Sequence, residues 1–185
     1  MNLAKQDERK QETRRLMLEA AGRGFRSQGY DGIGVDGLAK GAGVTSGAFY
    51  AHFGSKAAAF DAALAAGLDE VIAAIPKYQL KYGDGWTKAF SDYYLGKAHR
   101  DDLSGGCAMA AFSPEVVRAS DKTRALYEQK MKTIVGLIAK RMSGKTEAER
   151  VANAWSYLSS LIGGVTLARA MSSSALSDRI LKAAK

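Results

Sequence analysis

The chain has 185 residues, with 27 lysines and arginines against 19 aspartates and glutamates, which gives a formal charge of +8 at pH 7. Its 46% of hydrophobic and 25% of charged residues are typical of a globular protein and exclude a wholly disordered chain. The single cysteine excludes an intrachain disulfide, and the positive excess favours a polyanionic partner without identifying one.

Helical periodicity extends along nearly the whole chain, so we predict an all-α fold. The first helix is expected from about residue 10 to Gln28, with Gly29 ending it. Two short helices are predicted near 35–42 and 45–53, and Gly43 lies between them in a tight turn.

A fourth helix is predicted to begin after Ser55, which can cap its first turn, and to end at Pro76. A fifth helix is expected where Trp86, Phe90, Tyr93 and Lys97 follow helical spacing. A short helix is expected at Cys107–Phe112, followed by a separate short helix that begins with Ser113-Pro114. The last three helices are expected near 121–142, 146–171 and 175–183.

An uncharged run of 18 residues, Val151 to Ala168, is close to the length of a membrane-spanning helix. It contains six polar side chains, which is too many for a helix that faces lipid. We therefore interpret it as a buried helix and expect no membrane association. The first fifteen residues are charged and lack the apolar core of a signal peptide, so we expect a cytoplasmic protein.

The segment Val35–Lys56, VDGLAKGAGVTSGAFYAHFGSK, is typical of a helix-turn-helix. Leu38 and Ala39 give its first helix an apolar inner face, and Phe49 closes the small core from the second helix. Thr45 is a good N-cap for that second helix.

The outer face of the second helix has the features of a DNA-recognition helix. Its N-terminus offers hydroxyls and free backbone N–H groups, its body is small enough to enter a groove, and its flank can donate to phosphate. The candidate DNA-binding residues are Thr45, Ser46, Gly47, Ala48, Tyr50, His52 and Lys56.

The fourteen-residue run from Gly43 to Lys56, GVTSGAFYAHFGSK, resembles the signature of the TetR/AcrR transcriptional regulators, and close similarity covers roughly residues 13–65. The resemblance implies a three-helix DNA-binding head, which we place at residues 1–54. It also implies an all-helical body at residues 55–185 that binds a small molecule and forms a homodimer. No cofactor or metal is expected.

The penultimate helix carries an apolar stripe wider than one neighbour requires, together with small residues four positions apart. We therefore predict a four-helix interface between two subunits, with burial inside one chain as the alternative. The candidate interface residues are Val151, Trp155, Leu158, Ser159, Ile162, Gly163, Leu176 and Ile180.

Aromatic and sulfur-containing residues of the body are candidates for the lining of an effector pocket, although core packing is the alternative for each. They are Trp86, Phe90, Tyr93, Tyr94, Cys107, Met109, Phe112 and Trp155. Cys107 follows two glycines and is either a thiol sensor of oxidants or electrophiles, or a buried inert residue.

Two histidines and one cysteine form no recognisable metal site, and no catalytic motif is present, so we predict no enzymatic activity. The sequence predicts a repressor that a small molecule releases from a palindromic DNA operator. The alternative is a helical protein that binds a small molecule or senses thiol redox state without specific DNA recognition.

Overall fold

The structure, a computed structural model, describes residues 2–185, with side chains from Lys5 onward. The described chain is helical and contains no strand, which confirms the predicted all-α class. Its helices are α1 (Asn2–Gly32), α2 (Val35–Gly41), α3 (Ser46–Phe53), α4 (Lys56–Tyr82), α5 (Trp86–Tyr94), α6 (Lys97–Asp101), α7 (Ala108–Val116), α8 (Asp121–Ala139), α9 (Glu147–Ala170) and α10 (Ser174–Ala183).

Helix α1 begins earlier than predicted, at Asn2, but it breaks at the predicted glycine. Gly29 has φ 76° and ψ 172°, a conformation that glycine adopts without the steric cost of a Cβ. The last residues of α1 therefore turn away from the main helix. Met17 and Phe25 on its inner side are buried in the core.

The predicted helix-turn-helix is present. Gly43 has φ 69°, which provides the sharp turn between α2 and α3. The Thr45 hydroxyl accepts the Ala48 N–H at 3.2 Å and thereby caps α3, as predicted. Leu38 of α2 packs beside Gly24 of α1, and Leu38 and Phe49 of α3 are buried in the same apolar core, which holds the two short helices.

The prediction that Pro76 ends the fourth helix is wrong, because α4 continues to Tyr82. Pro76 lies on the exposed side, while Ile75 and Gln79 on either side of it are buried. The Gln79 side-chain amide donates to the Leu137 carbonyl of α8 at 2.9 Å. This contact and the apolar burial hold the last turns of α4 in place despite the hydrogen bond that proline cannot make.

Two further boundaries differ from the prediction. Helix α5 ends at Tyr94, and Lys97 begins the separate helix α6. Ser113 and Pro114 do not open a new piece but lie inside α7. The Ser113 hydroxyl bonds the Met109 carbonyl one turn earlier and the Tyr127 hydroxyl of α8, which ties the proline-containing turn to its neighbour.

An aromatic chain connects α1 to the rest of the molecule. Phe25 and Tyr30 of α1 both meet the Phe60 ring of α4 edge-on, with ring centroids 5.3 Å apart in each pair. Phe60 in turn contacts Phe112 of α7 at 5.5 Å. Helix α4 begins after Ser55, close to the predicted boundary between head and body, and it packs against both α1 and α8.

Helix α9 has an inner and an outer apolar stripe. The inner stripe is buried within the chain and consists of Ala154, Leu158, Leu161, Val165 and Ala168. Gly164 also faces inward, where a Cβ would lie 2.5 Å from the Ala184 Cβ, so this glycine admits the C-terminal segment. No helix in the described part of the chain combines the length and the apolar character needed to cross a membrane.

The closest packing between α1, α4 and α7 occurs at Gly67 of α4. A Cβ there would lie 2.6 Å from both the Ala108 Cβ and the Arg26 guanidinium. We expect Gly67→Ala to destabilise the protein by about 1–3 kcal/mol through overpacking. The control is Gly136→Ala on the exposed side of α8, where a Cβ meets nothing within 4 Å.

Gly136→Ala should stabilise the protein by about 0.5–1 kcal/mol, because glycine is a poor helix residue. The same chemical change is thus expected to have opposite signs at two helical positions, as measured by urea unfolding. Equal effects at both positions would contradict the close approach at Gly67.

Candidate nucleic-acid interface and body cavity

Helix α3 presents a polar, sterically open surface to solvent. Thr45 and Gly47 at its N-terminus are exposed, and Tyr50 one turn later is 50% exposed. Phe49 and Phe53 on the opposite side are buried, with ring centroids 5.0 Å apart. The two aromatic anchors fix the orientation of the helix, so that its small outer residues are available to a groove.

The N-terminus of α3 is already partly organised by hydrogen bonds. Thr45 uses a lone pair to cap the helix, whereas the Ser46 hydroxyl donates to the Asp36 carboxylate of α2. Ser46 therefore keeps acceptor capacity but not a free proton. Ser46 and Ala48 are only partly exposed, which leaves the backbone and Gly47 as the most open part of this end.

The flank of α3 carries the predicted phosphate-binding side chains. His52 is partly buried in the last turn of α3, and Tyr50 packs edge-on against Phe49 at 6.3 Å. Lys56 at the start of α4 places its ammonium 4.5 Å from the centre of the Tyr30 ring. A cation–π contact of this kind restricts the lysine side chain without neutralising its charge.

Arg14 is a further cation at this surface that the sequence argument did not select. It donates to the His52 carbonyl at 3.3 Å and lies over the Phe53 ring, 5.7 Å from its centre. The contact joins residues 38 positions apart, so only folding brings this charge to the end of α3. Its place in the basic N-terminal segment was a signal too weak to distinguish it from its neighbours.

The body contains a cavity of about 130 Å³ between α4, the α5–α6 region and the start of α7. Four of the predicted pocket residues line it: Phe90, Tyr93, Tyr94 and Cys107. Residues that the prediction omitted also line it, namely Gly67, Glu70, Val71, Ala74, His99, Gly105, Gly106 and Ala108.

The other predicted pocket residues do not reach this cavity. Met109 and Phe112 are fully buried in the apolar core, and Trp86 packs edge-on against Tyr157 at 5.9 Å. Trp155 is 41% exposed on the outside of α9. The sequence pattern could identify these residues as apolar and helical but not assign each to the core, the cavity or the surface.

His99 forms hydrogen bonds with two other residues that line the cavity. Its Nδ1 lies 2.6 Å from the Tyr94 carbonyl oxygen, and its Nε2 accepts the Cys107 N–H at 3.1 Å. These partners assign the proton to Nδ1, and burial lowers the pKa of His99, so the ring is neutral at pH 7. Burial raises the pKa of the Cys107 thiol, which keeps it protonated and a weak nucleophile.

The outer stripe of α9 and the exposed side of α10 carry apolar and small residues that are exposed or partly exposed, and we call this set the outer face. Its members are Trp155, Ser159, Ile162, Gly163, Leu167, Leu176 and Ile180. Leu158, predicted as an interface residue, is 1% exposed and belongs to the core of its own chain. Val151 is partly buried toward α8 and lies outside this surface.

The comparison with protein families gives one match, to bacterial regulatory proteins of the tetR family, over residues 17–63. This segment contains the main part of α1, the helix-turn-helix and the start of α4. None of the curated proteins compared with the chain matches it significantly.

Solved structures with the same fold cover nearly the whole chain. A TetR-family regulator from Agrobacterium tumefaciens has a TM-score of 0.78 at 16% identity, over 94% of this chain and 96% of its own. The reduced form of NemR from E. coli has a TM-score of 0.76 at 21% identity, over 94% of both chains. A TetR-family regulator from Cytophaga hutchinsonii has a TM-score of 0.76 at 20% identity, over 95% of this chain and 92% of its own. Residues 17–63 thus match the tetR family of bacterial regulatory proteins, and the chain as a whole shares its fold with solved tetR-family regulators.

Proposed function

We propose that the protein is a homodimeric transcriptional repressor that binds a palindromic DNA operator through α3 and releases it when a small molecule binds the body. The observation that carries DNA binding is the exposed, capped α3 with two cations, Arg14 and Lys56, at its flank. Base edges would be read from the N-terminal part of α3, and phosphates would be held by the flank.

The dimer is supported by the outer face. Trp155, Leu167 and Leu176 are between 41% and 56% exposed, which is unusual for large apolar side chains on adjacent helices. Ser159 and Gly163 lie in the same stripe, and a Cβ at Gly163 would meet nothing within 4 Å. Such a surface admits a second copy of α9 and α10 at short distance, in a two-fold four-helix arrangement.

Two-fold symmetry of the protein determines the symmetry of the operator. Two copies of α3 related by a two-fold axis read the same bases on opposite strands, so the site is a palindrome. The half-sites are expected about one helical turn apart or slightly more, roughly 34–36 Å between centres. Any change in the angle between head and body alters this spacing.

The head and body are linked by a partly buried arginine. Arg26 of α1 extends into the body, where its guanidinium lies 5.5 Å from the centre of the Phe112 ring and 3.5 Å from the Glu70 carboxylate. It fills the space beside Gly67 on the wall of the cavity. A ligand in the body that shifts α4 or α7 therefore acts on α1, and DNA release follows as a change of population between two head spacings.

Selection of binding sites from random DNA duplexes with the purified protein tests the proposal. We expect an enriched palindromic sequence whose affinity falls steeply with salt, because lysine and arginine contacts displace counterions. Failure to enrich any site would reject specific DNA recognition. It would leave the alternative of a small-molecule-binding helical protein.

The contribution of Lys56 to DNA binding can be measured on the selected DNA site with a variant that lacks the charge of this side chain. We expect Lys56→Gln to weaken binding to specific and unrelated duplexes alike, and to reduce the slope of log K against log salt by about 1. The control is Lys140→Gln, which removes the same charge from an exposed position at the end of α8. An equal loss in both variants would mean that Lys56 acts only through net charge.

A further inference from the structure

The cavity beside Cys107 contains a hydroxyl without a hydrogen-bond partner. Tyr94 lines the cavity and is 1% exposed, and its Oη has no acceptor or donor in hydrogen-bond geometry among the described residues. The Cys107 thiol lies beside it and, after burial, is the next cause that raises the pKa of Tyr94. A buried hydroxyl without a partner is costly, and a native structure usually has a reason for keeping one.

Several polar groups in the cavity wall and next to it are already paired. Both ring nitrogens of His99 are engaged. The Arg169 guanidinium donates to the backbone carbonyls of His99 at 2.8 Å and Arg100 at 3.0 Å. The Asp102 carboxylate accepts the Gly105 N–H at 2.8 Å, and Glu70 is paired with Arg26. Among the buried side chains that line the cavity, Tyr94 therefore offers a ligand a hydroxyl donor without a partner in the described part of the chain.

The size and lining of the cavity limit the ligand further. A volume of about 130 Å³ is close to that of cavities of about 150 Å³ that hold one benzene ring. Phe90, Tyr93 and Tyr94 provide aromatic surfaces, and Val71 and Ala74 provide aliphatic ones. A flat ring fits such a lining, and a protonated thiol adds a soft, polarisable contact. A charged ligand would lose its hydration and would have to compete with the pairing of Arg26 and Glu70, the charged groups at this wall.

We infer that the effector is a small, neutral, single-ring compound with one hydrogen-bond-accepting oxygen, held in this cavity by the Tyr94 hydroxyl. The inference rests on the proposed function, because it names the class of molecule that acts on the body. The ligand binds reversibly, and Cys107 contacts it without forming a bond. Gly67 and Ala108 line the cavity, and the Arg26 guanidinium of α1 packs close to Gly67, so a bound ring contacts the same wall as α1.

Two probes that differ only at the oxygen test this inference on the full chain without DNA. Acetophenone carries a carbonyl, and α-methylstyrene replaces that oxygen with a CH₂ group of similar shape. Binding is followed by NMR titration of the labelled protein. We expect wild type to bind acetophenone about five- to tenfold more tightly than α-methylstyrene, since one hydrogen bond separates them. Equal affinities, or no binding of either probe, would overturn the inference.

Removing the hydroxyl assigns the preference to a residue. In Tyr94→Phe, the two probes are expected to bind equally, with acetophenone reduced to the affinity of α-methylstyrene. The control is Tyr82→Phe, which removes a hydroxyl from a 43% exposed ring at the end of α4 that does not line the cavity. This control should keep the wild-type preference, and loss of the preference in both variants would contradict the role of Tyr94.

The binding result is independent of the DNA result. If the protein discriminates between the two probes but selects no DNA site, the inferred ligand class stands and the proposed function as a DNA-binding regulator is rejected. If the protein selects a palindromic DNA site but does not discriminate between the probes, the proposed regulator function stands and the inferred ligand class is rejected.

Discussion

The double substitution Trp155→Glu with Leu167→Glu is expected to convert a dimer into a monomer. Both side chains project from the outer face of α9, where they are 41% and 56% exposed, so their replacement leaves the core of each chain intact. In the proposed dimer, four carboxylates would then meet in an apolar contact between the two subunits. Like charges that lose their hydration without partners oppose association strongly.

The functional effect should be larger than the effect on any single DNA contact. A dimer binds its second half-site as an intramolecular step, and this raises affinity by about 10²- to 10⁴-fold over a single head. We expect the variant to lose most of that factor on a palindromic operator and to retain the weak affinity of wild type for a single half-site. Sedimentation and DNA titration measure the two effects separately.

The control carries the same charge change on two other exposed leucines of the body. Leu80→Glu with Leu103→Glu replaces side chains that are 87% and 48% exposed, on α4 and on the segment before α7. This variant should remain dimeric and lose only the small part of its affinity that follows from added negative charge. A monomeric control, or a dimeric Trp155/Leu167 variant, would contradict the outer face as the interface.

The second large effect is expected at the core of the helix-turn-helix. Phe49 is fully buried and contacts the Phe53 ring at 5.0 Å. Phe49→Ala should reduce the free energy of unfolding by about 3–5 kcal/mol, because it removes aromatic contacts and leaves a cavity. DNA binding should fall with it, since α3 loses the anchor that fixes its orientation.

A substitution at the neighbouring residue, Tyr50, distinguishes an effect on DNA recognition from an effect on folding. Tyr50 is 50% exposed, so Tyr50→Ala should change the free energy of unfolding by less than about 0.5 kcal/mol. It should nevertheless weaken operator binding. Urea unfolding and DNA titration of both variants give the comparison. A large loss of stability in Tyr50→Ala, or none in Phe49→Ala, would mean that the buried and exposed faces of α3 are wrongly assigned.

Local rules were sufficient wherever one segment determines its own structure. Thr45 and Ser55 both cap helices as predicted, because a hydroxyl at an N-cap bonds the N–H three residues later irrespective of the rest of the chain. Gly43 and Gly29 adopt the left-handed conformations that their positions require. The helix-turn-helix was therefore visible in the sequence alone, together with the residues of α3 that point outward.

Pattern reasoning failed where a distant contact decides the outcome. Pro76 is a helix-breaking signal in isolation, but burial of its neighbours and the hydrogen bond from Gln79 to α8 carry α4 beyond it. Arg14 reaches the end of α3 across 38 residues, which no local spacing could indicate. The hydrogen bond from Gln79 and the burial of Ile75 together offset the cost of proline inside a helix, which is about 3 kcal/mol.

The sequence by itself determined the helical class, the helix-turn-helix and the presence of a wide apolar stripe in α9. Only the tertiary structure decided which side of that stripe is the core, since periodicity gives the width of an apolar face but not its neighbours. It placed Leu158 in the core and Trp155 on the surface, and it brought Tyr94, His99 and Cys107 to one cavity. The net positive charge of the whole chain did not identify a partner, because net charge does not show which cations folding places beside α3.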